Sequence, residues 1–210
     1  VLLEPYGGQV LGMGVGATTW LTATLAAGGL VGFSIASAVL SRGVDPDANV
    51  WWRADPARVA LIGAAIGVPA FAAVIAASGL GSVMLFASGV FFIGIGAGLF
   101  GHGTLTLTMN RAPKEQAGLA LGVWGAVQAT AAGVGVALGG IGRDVVQALF
   151  VRGVFGDAWA ATPVAGYAAI YAIEIVLLCA TVAAMAALLR SHPAPSNTLN
   201  NQPRHQWSAS

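Results

Sequence analysis

Charge is nearly absent from this chain. Nine Lys or Arg and eight Asp or Glu make up 8% of 210 residues, far below the roughly 25% of a soluble domain. The formal net charge is +1, so no basic face is available to hold nucleic acid. Cysteine is almost missing too: Cys179 stands alone, which excludes an internal disulfide. No G-x-x-x-x-G-K-[ST] loop is present, nor a Cys/His cluster with metal-site spacing, nor a nucleophile beside a base, so an enzyme is not expected. His192 and His205 fall in a polar tail and read as incidental. The chain begins with Val, and no basic-led signal peptide is visible, so we expect the true N-terminus to lie upstream.

Apolar residues are what the chain has instead, at 57% with a mean hydropathy of +0.79. Five stretches reach the roughly 20 residues needed to cross hydrocarbon as helix: 17–40, 59–78, 83–109, 117–141 and 164–189. Residues 1–13 read as the end of a sixth helix, broken by Pro5 and Gly7–Gly8. The expected fold is therefore an all-α integral membrane bundle over 1–190, with a disordered polar tail over 191–210. Alternating loops put seven Lys or Arg on the side of the C-terminus (Arg42, Arg53, Arg58, Arg111, Lys114, Arg190 and Arg204) and only Arg143 and Arg152 on the other. That bias predicts a cytoplasmic C-terminus.

Thirty glycines are arranged rather than scattered. Gly28/Gly32, Gly63/Gly67, Gly94/Gly98, Gly118/Gly122 and Gly135/Gly139 are each four apart, a spacing that lets helices approach closely. The last span uses alanines past Gly166 and is expected at the edge of the bundle or facing lipid. Trp20, Trp51, Trp52 and Trp159 fall near span ends, where an amphipathic ring is comfortable. Trp124 lies well inside the fourth span, where its N–H needs a partner, as a packing residue or as a ligand wall.

Polar groups inside the spans are functional candidates by default. Glu174 is deep in the fifth span, Glu4 precedes Pro5, and Arg143 and Asp144 form an adjacent pair at a span end. All four are candidates for buried ionisable groups; structural pairing or capping is the alternative for Glu174 and Glu4, and Arg143 and Asp144 are expected to form an interfacial charge pair. Gln128 and Thr130 suit hydrogen bonds between helices. His102 sits in GLFGHGTLTLT, framed by Gly101 and Gly103, with Gly98 one turn earlier on the same face. It lies roughly 12 Å along the helix from Asn110 at 1.5 Å per residue, in the cytoplasmic half of the bilayer.

Five spans and part of a sixth are the pattern of half a major-facilitator bundle. The loop SRGVDPD after the first full span is a degenerate version of the Gly- and Arg-containing loop of such transporters. More specifically, LLEPYGGQVLGM, GVGATTWLTA, GLFGHGTLTLTM and GLALGVWGAVQATAAGVGVALGG resemble the PucC/LhaA family, the bacteriochlorophyll-delivery branch of the major facilitator superfamily in photosynthetic bacteria. The likeness covers residues 1–145 strongly and the last span by position and character. It implies a C-terminal half, from the end of the seventh helix through the twelfth, in the intracytoplasmic part of the bacterial inner membrane.

The resemblance implies a light-harvesting complex assembly factor that binds bacteriochlorophyll, with room for a carotenoid. Its expected partners are LH1 or LH2 antenna polypeptides, the reaction centre and the bilayer. On that reading His102 is an axial ligand to the chlorin magnesium, and Gly98, Gly101 and Gly103 leave a flat surface for the ring. Gly98 four before His102 is similar to the Ala-xxx-His pigment site of antenna polypeptides. Gln128, Trp124 and Glu174 could reach pigment carbonyls or edges. The alternative for His102 is a hydrogen bond to Thr106 or Gln128. Two other functions stay open: a secondary transporter that uses Glu174 or Glu4, and a permanent subunit of a photosynthetic complex.

Overall fold

A computed structural model describes residues 2–42, 55–152 and 164–191. Six α-helices account for nearly all of them: α1 (Leu3–Leu11), α2 (Val15–Arg42), α3 (Pro56–Leu80), α4 (Val83–Arg111), α5 (Ala117–Val151) and α6 (Val164–Ser191). No strand occurs among the described residues. The last five helices are long and apolar enough to cross a membrane, so the chain is an all-α membrane protein. Trp51, Trp52, Trp159, Arg53, Arg204, most of the SRGVDPD loop and the polar tail with His192 and His205 lie outside the described residues.

The helix ends follow local chemistry. Asp55 caps α3 by accepting from the Ala57 N–H at 2.9 Å, with Pro56 in the first turn, where a missing N–H costs nothing. Gly81, at φ +58°, ends α3, and Ser82 at once caps α4 by accepting from the Leu85 N–H. This minimal turn makes α3 and α4 an antiparallel hairpin. An Asp55→Ala variant is expected to lose about 1 kcal/mol of stability, read from thermal unfolding in detergent followed by helix ellipticity.

One expectation is corrected. Residues 3–11 form one continuous helix: Pro5 occupies the first turn, Gly7 and Gly8 are helical, and the break comes at Gly12 with φ +65°. The helix that carries the fourth span continues ten residues past 141, to Val151.

α4 is the centre of the bundle and carries two glycine faces. Gly94 and Gly98 lie against Gly28, Gly29 and Gly32 of α2, so closely that a β-carbon on either would strike α2 backbone. Gly89, Gly96 and Gly103, seven residues apart, face α3; a β-carbon on Gly96 would come 2.7 Å from the Gly63 carbonyl oxygen. Helices in lipid associate by such van der Waals contact, because hydrocarbon offers no hydrophobic gain for leaving it. The expected pairs at 28/32, 63/67 and 94/98 are thus packing surfaces, with Gly67 set against Leu178 of α6.

The pairs on α5 meet no close helix crossing among the described residues. Gly118, Gly122 and Gly135 have open space where a β-carbon would stand, and Gly139 has only ordinary contacts. α5 buries no residue at all. α6, expected at the edge, is divided: its first turns carry the buried Tyr167, Ile170 and Tyr171, whereas Ile173, Val176 and Leu177 face outward.

Candidate functional site

Polar side chains inside these helices gather in two places. The first is on α4. His102 is half-buried, its ring edge-on to Phe33 of α2 with centroids 4.2 Å apart. Its Nδ1 is buried with no hydrogen-bond partner. Thr106 does not supply one, because its hydroxyl donates to the His102 backbone carbonyl at 2.9 Å. Among the described residues no bond from Gln128 to the imidazole is recorded; Gln128 is half-buried on α5, one turn beyond Trp124.

The glycine frame of His102 is corrected in part. Gly98 is covered by α2, and a β-carbon on Gly103 would lie 2.7 Å from the Pro56 carbonyl oxygen and 2.8 Å from the Ala60 nitrogen of α3. These two glycines serve helix crossings and offer no platform for a ring. Only Gly101 opens on free space. The Trp124 indole N–H donates to the Thr104 hydroxyl at 3.3 Å and so ties α5 to α4. Toward the turn that joins them, α4 and α5 flank a cleft of about 480 Å³ lined by Leu107, Arg111, Pro113, Leu119 and Val123 among others.

The second gathering joins α1, α5 and α6. Tyr6 is buried and donates to the Val74 carbonyl of α3 at 3.1 Å. Its ring meets Tyr167 and Tyr171 edge-on, with centroids 5.3 and 5.4 Å away. Gln9 accepts twice at Oε1, from Arg143 at 2.6 Å and from the Tyr167 hydroxyl at 2.9 Å. Arg143 also pairs with Asp144 at 2.8 Å, and its guanidinium carbon lies 4.6 Å from the centre of the Tyr167 ring. This cluster lets a charged residue stand inside a helix that continues for two more turns.

Of the four ionisable groups expected to be buried, two are not. Glu4 is exposed and accepts from Thr22, which ties α1 to α2. Asp144 is exposed as well, with 70% of its side chain open; beside Arg143 it needs no enclosure. Glu174 is half-buried on α6, and its Oε2 is buried without a partner. The Tyr171 hydroxyl, one turn before it, is likewise buried and unpartnered. Both residues line a cavity of about 260 Å³ where α1, α2, α3, α4 and α6 converge.

Sequence reasoning missed Gln9, Tyr6, Tyr167 and Tyr171. The spacing of Tyr167, Tyr171 and Glu174 by four and three residues was the available signal, because it puts all three on one face of α6. No group of three or more His, Cys, Asp or Glu able to hold a metal occurs among the described residues.

These features define a multi-span helical membrane protein that keeps a few unpartnered polar atoms between its helices. A family model described as PUCC protein matches residues 1–192, and the chain belongs to that family. It is 51% identical over 191 residues to Protein PucC of Cereibacter sphaeroides, covering 91% of this chain and 38% of that protein. Over 147 residues it is 58% identical to Protein PucC of Rhodovulum sulfidophilum, covering 70% of this chain and 30% of the relative. An uncharacterized protein in the puhA-bchM intergenic region of Rhodobacter capsulatus is 45% identical over 190 residues, 90% of this chain and 37% of the relative. The chain thus spans less than two fifths of the length of these relatives. No solved structure matches it.

Proposed function

We propose that this protein is an assembly factor for light-harvesting complexes, which holds bacteriochlorophyll and presents it to antenna polypeptides. Its kinship with PucC proteins of photosynthetic bacteria supports the setting. The observation that carries the reading is the His102 imidazole, whose Nδ1 has no protein partner within a helix built for lipid. A polar group buried without a partner is costly. An imidazole whose nitrogen is not committed to the protein would suit the magnesium of a pigment.

The residues fit that group on one side. When bound, bacteriochlorophyll would supply a magnesium centre that can accept a nitrogen donor. His102 would hold it, Phe33 limits rotation of the imidazole, and Gly101 leaves room for the ring to approach. Gly98 and Gly103 contribute only by holding α4 against α2 and α3. We read the protein as a carrier and not an enzyme. In this reading the five spans are half of a major-facilitator-type bundle in the inner membrane, with the C-terminus in the cytoplasm, where most Lys and Arg gather. Pigment made at the cytoplasmic face would then reach His102 without crossing the membrane.

The test is a near-infrared absorption spectrum of the gently purified protein, with its pigments extracted and quantified. A red-shifted bacteriochlorophyll band at fixed stoichiometry is expected. His102→Leu should cut bound pigment about tenfold or more, the loss of a metal ligand being worth at least 1.4 kcal/mol, while helix ellipticity stays unchanged. A colourless wild-type protein, or pigment retained in His102→Leu, would overturn the assignment.

A further inference from the structure

The cavity beside Glu174 has no part in that reading. It is lined by Leu25, Gly29, Phe71 and Ile93 among others, with Tyr171 and Glu174 as its polar members. Tyr171 is 1% exposed, and its hydroxyl and the Glu174 Oε2 both lack partners. Three residues apart on α6, the two groups share a helix face. Glu174 is about 15 Å from the start of α6 at 1.5 Å per residue, near the middle of the bilayer. Neither water nor lipid headgroups are at hand there to satisfy polar atoms. A second cavity of about 320 Å³ shares Phe71, Ile93 and Ala97 with the first, and continues between α3, α4 and α6 past Gly67, Phe100 and Leu178. Its lining is apolar except for Thr181, whose hydroxyl is already committed to the Leu177 carbonyl.

We infer that these two lobes form one binding site for a single-chain amphiphile, with an uncharged hydrogen-bonding head at Tyr171 and Glu174 and an apolar tail between α3, α4 and α6. One hydroxyl or carbonyl-bearing head meets both orphan atoms, the phenol donating or accepting and the carboxyl completing the pair. An anionic head finds no Lys or Arg in either lining. A cationic head would rely on one carboxyl inside an apolar wall, an expensive arrangement. Together the lobes fall within the roughly 300–1,000 Å³ of ordinary small-molecule sites. Long-chain alcohols and neutral single-chain lipids share this chemistry.

The experiment uses the protein in phosphatidylcholine nanodiscs and an octadecanol that carries a photoactivatable diazirine in its chain, with labelled peptides mapped by mass spectrometry. Labelling is expected to concentrate around Phe71, Ile93–Phe100 and Leu178, and to be competed by plain octadecanol. Tyr171→Phe, which keeps the ring and its packing, combined with Glu174→Leu should lower labelling about tenfold, whereas Glu174→Gln, which retains a hydrogen-bonding head, should stay within about threefold. Ala97→Phe, filling the junction of the lobes, should also lower it about tenfold. His102→Leu should change nothing, which separates this site from pigment binding. Labelling spread evenly over the exposed α5, labelling unchanged in the double variant and in Ala97→Phe, or stronger competition by octadecylamine than by octadecanol would overturn the inference.

Discussion

Gly63→Ala is expected to destabilise the bundle by about 1 to 3 kcal/mol, the usual cost of forcing a methyl group into a filled contact. The new β-carbon would stand 2.6 Å from both the Gly96 carbonyl oxygen and the Phe100 nitrogen, and 2.9 Å from the Leu99 β-carbon. Two of those three atoms are backbone, so no side chain can swing aside, and α3 must move off α4 as a body. The same crossing carries Gly96 and Gly103 in contact with α3, so relief at one position loosens the others. The control is Gly122→Ala on α5, where nothing lies within 4 Å of the added carbon. That substitution should be neutral or slightly stabilising, since alanine is the better helix former by up to about 1 kcal/mol. Titration of the folded protein in mixed micelles with dodecyl sulfate, followed by helix ellipticity, measures both. Equal midpoints for the two variants would mean that the α3–α4 crossing is looser than the structure shows.

These two glycines also show what was legible in the sequence. Hydropathy placed all five spans, because a run of apolar side chains long enough for hydrocarbon leaves helix as the only way to satisfy its backbone. Spacing of four found real crossings at Gly28/Gly32, Gly63/Gly67 and Gly94/Gly98. The identical spacing at Gly118/Gly122 meets none among the described residues, since a stripe records that a helix could approach and not which one does. The repeat of seven at Gly89, Gly96 and Gly103 was visible and unread; two turns apart, these residues form the α3 face of α4. Sequence also could not divide the labour around His102. Gly98, Gly101 and Gly103 look alike in a string, yet α2 covers the first, α3 the last, and only the middle one is open. The partners of Arg143 were hidden for a related reason. Its pairing with Asp144 was legible, but Gln9 and Tyr167, which also receive the guanidinium, lie far from it in the sequence.

Arg143→Met should therefore detach α1 and the start of α6 from α5, at a cost of about 2 kcal/mol. A hydrogen bond to a charged group is worth about 1.5 to 3 kcal/mol and a guanidinium over an aromatic ring about 0.5 to 2. Partial exposure of Arg143, at 23% of its side chain, and the ability of neighbouring groups to re-pair in lipid pull the sum down. Arg143→Lys should recover less than half of the loss, because a single ammonium cannot bond Gln9, pair with Asp144 and lie against the Tyr167 ring at once. Gln9→Ala removes the shared acceptor from both Arg143 and Tyr167 and should cost a similar amount. The double variant decides the issue. If Gln9 and Arg143 act through one contact, the combined loss falls short of the sum by about 1 kcal/mol, measured by the same dodecyl sulfate titration. Strict additivity would mean that the two residues stabilise the bundle separately, and that the 2.6 Å bond between them contributes little to holding α1 in place.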